Sequence, residues 1–296
     1  MIGQHRTFIN SIPIIFVFLW STGFIAAKYA LPFIEPFYFL FMRMVLSIAV
    51  FILLCLFFRA ERLSLRQIGH QMVTGLLVHG AYLGGVFAAI KWGMPAGITA
   101  IVVGVQPVLT ACLGWRFLGE RLRPIQWLGL GLGLAGVITV LLSTGQQAGV
   151  VLTWPGILAA IAALVGISLG TLYQKRFGSG TNLLAGSVWQ YVSVAVLMAL
   201  MTWTFETQQV VWDIHLILAL GWLVLGISVT AILLLMYMIR EGEVAKVASY
   251  FYLVPPVTVI QTWFLFGENL SLMAILGCVL AVMGVYLVAR TAKSSL

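Results

Sequence analysis

Residues 115–129 read WRFLGERLRPIQWLG, and residues 263–277 read WFLFGENLSLMAILG, each a Gly-Glu turn between two apolar runs. At an offset of 148 (263 less 115), Trp115 meets Trp263, Gly119 meets Gly267, Glu120 meets Glu268, Leu122 meets Leu270 and Gly129 meets Gly277. Further out, the same offset aligns Ala100 with Ala248, Pro107 with Pro255, Thr110 with Thr258 and Gly136 with Gly284. An offset of 147 brings Gly23 onto Gly170, Lys28 onto Lys175 and Arg43 onto Gln190. Leu and Gly match easily by chance in apolar chains. Aligned Pro, Trp, Thr and Gly-Glu do not, so the chain reads as one unit written twice, 1–147 and 148–296.

The solvent of this protein follows from its composition. Of 296 residues, 62% are hydrophobic and only 8% charged, with mean hydropathy +1.09. A soluble domain carries about 25% charged residues. So little polar surface cannot cover so much apolar surface in water, and lipid is the solvent. A spanning helix needs roughly 20 mostly apolar residues. Such runs fall at 12–31, 37–58, 70–90, 95–115, 124–142, 153–174, 183–203, 216–238, 245–266 and 272–289. Backbone amides in lipid must be satisfied within the segment, which makes these runs helices. The first run is too long for a signal-peptide core and is kept as a span.

The expected fold is therefore an all-α polytopic membrane protein, with ten transmembrane helices as two five-helix repeats. Five is odd, so the second copy enters the membrane from the opposite side and the repeat is inverted. Inverted repeats with a midplane site between the halves are a signature of many secondary transporters. Duplication that merely builds a stable bundle is the bland alternative.

Charge supplies the sidedness. The formal net charge is +8, but the cations sit in short connections. With the N-terminus inside, thirteen of the sixteen Lys and Arg fall in cytoplasmic segments, only Lys28 and Lys91 fall outside, and Arg43 lies within a span. This is the positive-inside pattern, and it places both termini in the cytoplasm. It also accounts for the charge without nucleic acid as a partner. Cys55, Cys112 and Cys278 lie in apolar runs without metal or redox spacing and read as packing residues. No cofactor or metal is expected.

Ionisable groups inside a membrane are functional candidates by default. His79 lies nine residues into the third span, about 13 Å deep at 1.5 Å per residue. Tyr82 follows at i+3 on the same helical face. The pair offers a polar-aromatic patch in a cavity; the alternative is a neutral His hydrogen-bonded between helices. Arg43 lies roughly 9 Å from the outer end of its span by the same rise. It is read as a snorkelling or structural cation, or, if it faces the cavity, as a two-pronged carboxylate binder. Trp20, with Ser21 and Thr22, sits mid-span and offers an aromatic wall or core packing. Tyr250 and Tyr252 lie about 200° apart on a helix, so at most one lines a cavity. Pro107, Pro255 and Pro256 interrupt backbone pairing and read as hinges, gates or fixed kinks. Gly129, Gly131, Gly133 and Gly136 form a close-packing stripe, with a dimer seam as one use. Glu120 and Glu268 read as turn or salt-bridge residues.

The stretch ITAIVVGVQPVLTACLGWRFLGERLRPIQWLGLGLGLAGVITVL resembles the fourth and fifth spans of EamA-type transporters in the drug/metabolite transporter superfamily. FLWSTGFIAAKYAL resembles their first span and FLFMRMVLSIAV their second, including its Arg. The resemblance covers essentially the whole chain and implies a ten-helix exporter-like carrier of small metabolites, amino acids among them. The sixth span, IAALVGISLG, departs from it where many members carry a Trp. The function expected is secondary transport by alternating access, a small molecule and the bilayer being the partners, as monomer or homodimer in a bacterial inner membrane. The rivals are a channel or structural membrane protein, and an intramembrane enzyme, for which no paired intramembrane Asp, HExxH or Ser-His pair is found.

Overall fold

A computed structural model describes residues 2–92, 94, 96–144, 153–266 and 271–291. Glu268, its neighbours Gly267 and Leu270, the Lys28 side chain and the 147/148 junction lie outside the described residues.

The described chain is all-helical, with no strand and one isolated bridge, Ile34 to Val210. In chain order the helices are α1 Ile2–Ala30, α2 Pro36–Phe57, α3 Leu65–Lys91, α4 Ala96–Gly104, α5 Gln106–Leu118, α6 Pro124–Thr144, α7 Trp154–Phe177, α8 Leu183–Phe205, α9 Ile214–Glu241, α10 Val244–Ser249, α11 Val254–Phe266 and α12 Leu272–Thr291. Seven of them, α2, α3, α6, α7, α8, α9 and α12, are long and apolar enough to cross a membrane. The expected spans 95–115 and 245–266 do not run unbroken. The first is interrupted at Val105, between α4 and α5, and the second by a 3₁₀ turn at Tyr250–Leu253, between α10 and α11. Proline explains both places: Pro107 lies in the first turn of α5, and Pro255 and Pro256 in that of α11, where a missing N–H costs nothing.

Two helices carry a wide turn. Residues Leu76–Gly84 of α3 and Leu223–Ala231 of α9 are π-helical, with i→i+5 pairing. The two segments have the same length and begin 147 residues apart (223 less 76).

Packing pairs α6 with α12, α2 with α8, α7 with α3, α4 and α5, and α1 with α9 and α11. The α6–α12 seam consumes the glycine stripe. A Cβ added to Gly136 would collide with the Ala281 backbone, and one on Gly284 with that of Gly133. The stripe is thus spent inside the chain rather than at a dimer seam, because only bare backbones approach this closely. Cys112 also departs from expectation, lying exposed on α5, while Cys55 and Cys278 are half-buried.

On one face, the 31–35 and 206–213 connections are strapped together. Val211 donates its N–H to the Phe33 carbonyl at 2.9 Å. The buried Glu206 carboxylate accepts the α2 amides of Phe37 (2.8 Å) and Tyr38 (2.6 Å), and pairs with Lys91 Nζ at 3.0 Å. An acid there meets the unpaired N–H groups and positive dipole end of α2. Glu35 answers from the other side, accepting the amides of Thr207 (2.7 Å) and Gln208 (2.9 Å).

Candidate functional site

A cavity of about 500 Å³ lies between the helices. Trp20, Arg43 and Gln106 line it, as do Leu31, Ile90, Thr99 and Leu141. Those four sit at helix ends on the strapped face. The cavity therefore runs from mid-protein towards that face.

Among the described residues, Arg43 is the one charged side chain lining the cavity, and it is only 6% exposed. It stands on α2, and its Nε donates to Ser228 Oγ in the π-helical segment of α9 at 2.8 Å. Among the described residues, neither terminal guanidinium nitrogen has a hydrogen-bond partner and no carboxylate forms an ion pair with it. The Tyr82 and Tyr191 hydroxyls lie within electrostatic range. A buried cation without a counter-ion is costly, and the fork it presents has the geometry for a carboxylate.

The remaining walls are aromatic and apolar. Trp20 packs edge-on to Phe251 at 5.4 Å and sends its indole N–H towards the Tyr82 hydroxyl. Tyr252 lines the cavity, its ring seated where a side chain on Gly133 would collide with it. Its hydroxyl has no partner among the described residues. Proline removes donors at the two helix breaks: Pro107 has no N–H to offer the carbonyl of Val103, nor Pro256 that of Tyr252, and both Val103 and Tyr252 line the cavity.

Of the residues singled out in the sequence, Trp20, Arg43, Tyr82, Tyr252, Pro107 and Pro255 line this cavity; His79, Tyr250 and Pro256 do not. His79 and Tyr82 part company because the helix between them is π-helical. Each residue of the wider turn advances by a smaller angle, so positions three apart no longer stack. Tyr82 faces the cavity, while His79, 1% exposed, stacks on Tyr191 of α8 at 4.9 Å and 15°. Its Nε2 makes no close hydrogen bond among the described residues, and the Gln190 side chain interacts with the ring more loosely.

Three residues that sequence reasoning passed over complete the arrangement. Ser228 receives Arg43, and its carbonyl accepts the Tyr191 hydroxyl at 2.8 Å. Gln71 accepts from Gln190 Nε2 at 2.6 Å. The available signal was polarity within apolar runs, since Tyr191 and Ser228 fall mid-span, whereas Gln71 lies at the start of its run.

Comparison with known proteins fits this geometry. The model of the EamA-like transporter family matches residues 9–142 and again 154–290. The inner membrane transporter YedA of Escherichia coli K12 is 32% identical over 227 residues, covering 76% of this chain and 72% of YedA. A probable amino-acid metabolite efflux pump of Salmonella typhimurium is 28% identical, covering 75% of this chain and 78% of the pump. One solved structure superposes with a TM-score of 0.81 at 24% identity, covering 97% of this chain and 98% of its own. The family and the relatives' names point to membrane transport rather than catalysis.

Proposed function

The chain belongs to the EamA-like transporter family, and from that premise we propose that it is a secondary transporter that exports small metabolites, amino acids foremost, by alternating access. The observation that carries the reading is Arg43, a nearly buried cation whose unpaired guanidinium end faces a cavity large enough for an amino acid. A substrate carboxylate takes the fork of Arg43. Its ammonium takes backbone carbonyls at the two helix breaks, those of Val103 and Tyr252, as unwound carbonyls bind cations in other carriers. Trp20, Tyr82 and Tyr252 receive an apolar or aromatic side chain. His79 acts behind Tyr191 rather than on the substrate. Pro107, Pro255 and Pro256 mark the points where α4–α5 and α10–α11 bend.

The mechanism proposed needs two inverted five-helix halves and ten spans, with α4 and α5 together forming the fourth and α10 and α11 the ninth. Several observations support this. The family model matches twice. The π-helical segments repeat at 147 residues. The packing of α1 on α9 and α11 mirrors that of α7 on α3 and on α4–α5. The charge bias puts the termini and the 119–123 connection in the cytoplasm, so the cavity opens outward. Export direction is supported by the efflux relative. Counterflow of labelled amino acids in proteoliposomes tests the proposal. Saturable exchange supports a carrier; linear flux without counterflow would establish the channel reading instead.

A further inference from the structure

On the face opposite the strap, two charged side chains hold one corner of the backbone. There α9 ends and α10 begins, with the 242–243 corner between them. Lys175, on α7, donates from Nζ to the carbonyls of Arg240 (2.7 Å) and Gly242 (2.9 Å). Glu120, in the turn after α5, accepts the amide of Val244 at 3.0 Å and, more loosely, that of Ala245 at 3.5 Å. The signs are matched to the backbone: the cation takes the carbonyl end of one helix and the anion the amide end of the next. Gly114 makes room, since a Cβ there would stand 3.2 Å from the Glu120 carboxylate.

The corner leads directly into the cavity. Val244 and Ala245 are fully buried, Ala245 in one cluster with Ala111 of α5 and with Tyr252. Eight residues after Val244 comes Tyr252 and three later Pro255, both cavity wall. Letting the corner go frees α10 from α5 and carries that wall with it.

We propose that Glu120 and Lys175 are the latch of this face: their bonds to the 240–245 corner keep the cavity shut there, and the cycle breaks them to open it. The inference rests on the carrier reading and adds to it the residues that set the balance between the two open states. Both are positioning residues, since they act through the backbone of the corner and touch no substrate.

The test is access to one cysteine from either face. Val103, which lines the cavity, is replaced by Cys in the full chain, with Cys55, Cys112 and Cys278 changed to Ala. An impermeant maleimide is applied to right-side-out and to inverted membrane vesicles. With the latch intact, labelling is fast in right-side-out and slow in inverted vesicles. Glu120→Gln and Lys175→Met are each expected to raise labelling in inverted vesicles about fivefold, the shift that loss of one modest interaction produces. Lys175→Arg restores the slow rate, and Arg121→Gln, an exposed neighbour, leaves it unchanged. If a variant fails to assemble, Glu120→Asp keeps the charge but shortens the reach and is expected to speed labelling in the same direction. Unchanged labelling in the latch variants overturns the proposal. Counterflow on the same vesicles separates the two readings: a shift in labelling without substrate exchange removes the carrier and keeps the gate, and exchange without a shift does the reverse.

Discussion

Arg43 and Gln190 stand 147 residues apart in the repeat register, and each reaches from one long helix to another. Arg43 crosses from α2 to Ser228 in the π-helical segment of α9. Gln190 crosses from α8 to Gln71 of α3, just before the other π-helical segment. The bridges correspond, but their surroundings do not. Arg43 opens onto the cavity; Gln190 is closed in, 1% exposed and shut off from it. The two positions thus differ in kind: a charge where the cavity reaches it, and a neutral amide where it does not.

Moving the charge to the wrong side gives the largest effect expected. Gln190→Arg places an unpaired cation in the closed pocket and is expected to cost about 3–5 kcal/mol, seen as a large drop in Tm in detergent. A variant as stable as the parent would show that the pocket admits water.

Removing the charge from the right side comes next. Arg43→Gln, which makes the two positions alike, is expected to lower counterflow of carboxylate substrates by about ten- to a hundredfold, the worth of a hydrogen bond to a charged group. Arg43→Lys keeps the charge but loses the planar fork and falls between. Equal rates for all three proteins would remove Arg43 from the site.

The dry bridge has a smaller value. Gln190→Leu leaves the Gln71 acceptor without its donor, at about 1–3 kcal/mol. Adding Gln71→Leu is expected to recover part of that in a double-mutant cycle, with counterflow little changed. A loss of transport that tracks Gln190 rather than stability would place it in the substrate path.

The smallest effect lies at the strap. Burial raises the pKa of Glu35, but hydrogen bonds from the Thr207 hydroxyl and the Thr207 and Gln208 amides outweigh it, so the carboxyl sits below its ordinary value. A depressed carboxylate stabilises above the ordinary range, and that contribution is lost as pH falls through the depressed value. Acidification is expected to loosen the strap slightly in the parent and not in Glu35→Gln, read as hydrogen exchange of the Thr207 and Gln208 amides. Parallel pH curves for the two proteins would exclude it.

His79 shows where reading residues along the chain stopped. Its depth was legible from the count of apolar residues before it, and so was its rarity as an intramembrane ionisable group. Its direction was not. An α-helical wheel puts Tyr82 beside it, whereas the π-helical turn between them sends one to the cavity and the other onto Tyr191. No residue in LLVHGAYLG announces that turn, which lies where α3 packs against α7 and α8. The tyrosines at 250 and 252 make a milder case. Helical geometry limited the cavity to one of them, and only the seat beside Gly133 selected Tyr252.

The amino-acid sequence by itself determined the solvent, most of the helices and the stock of polar groups available within apolar runs. Each is a property of composition and period, carried by residues close along the chain. The tertiary structure alone decided that Arg43 meets a cavity, that His79 does not, that the glycine stripe closes on its own chain, and that Glu120 and Lys175 grip one corner. These depend on contacts between residues such as Glu120 and Val244, 124 positions apart. Such contacts are set by how helices pack and turn about their axes, and a helix rotated by one residue presents a different side chain without changing its sequence pattern.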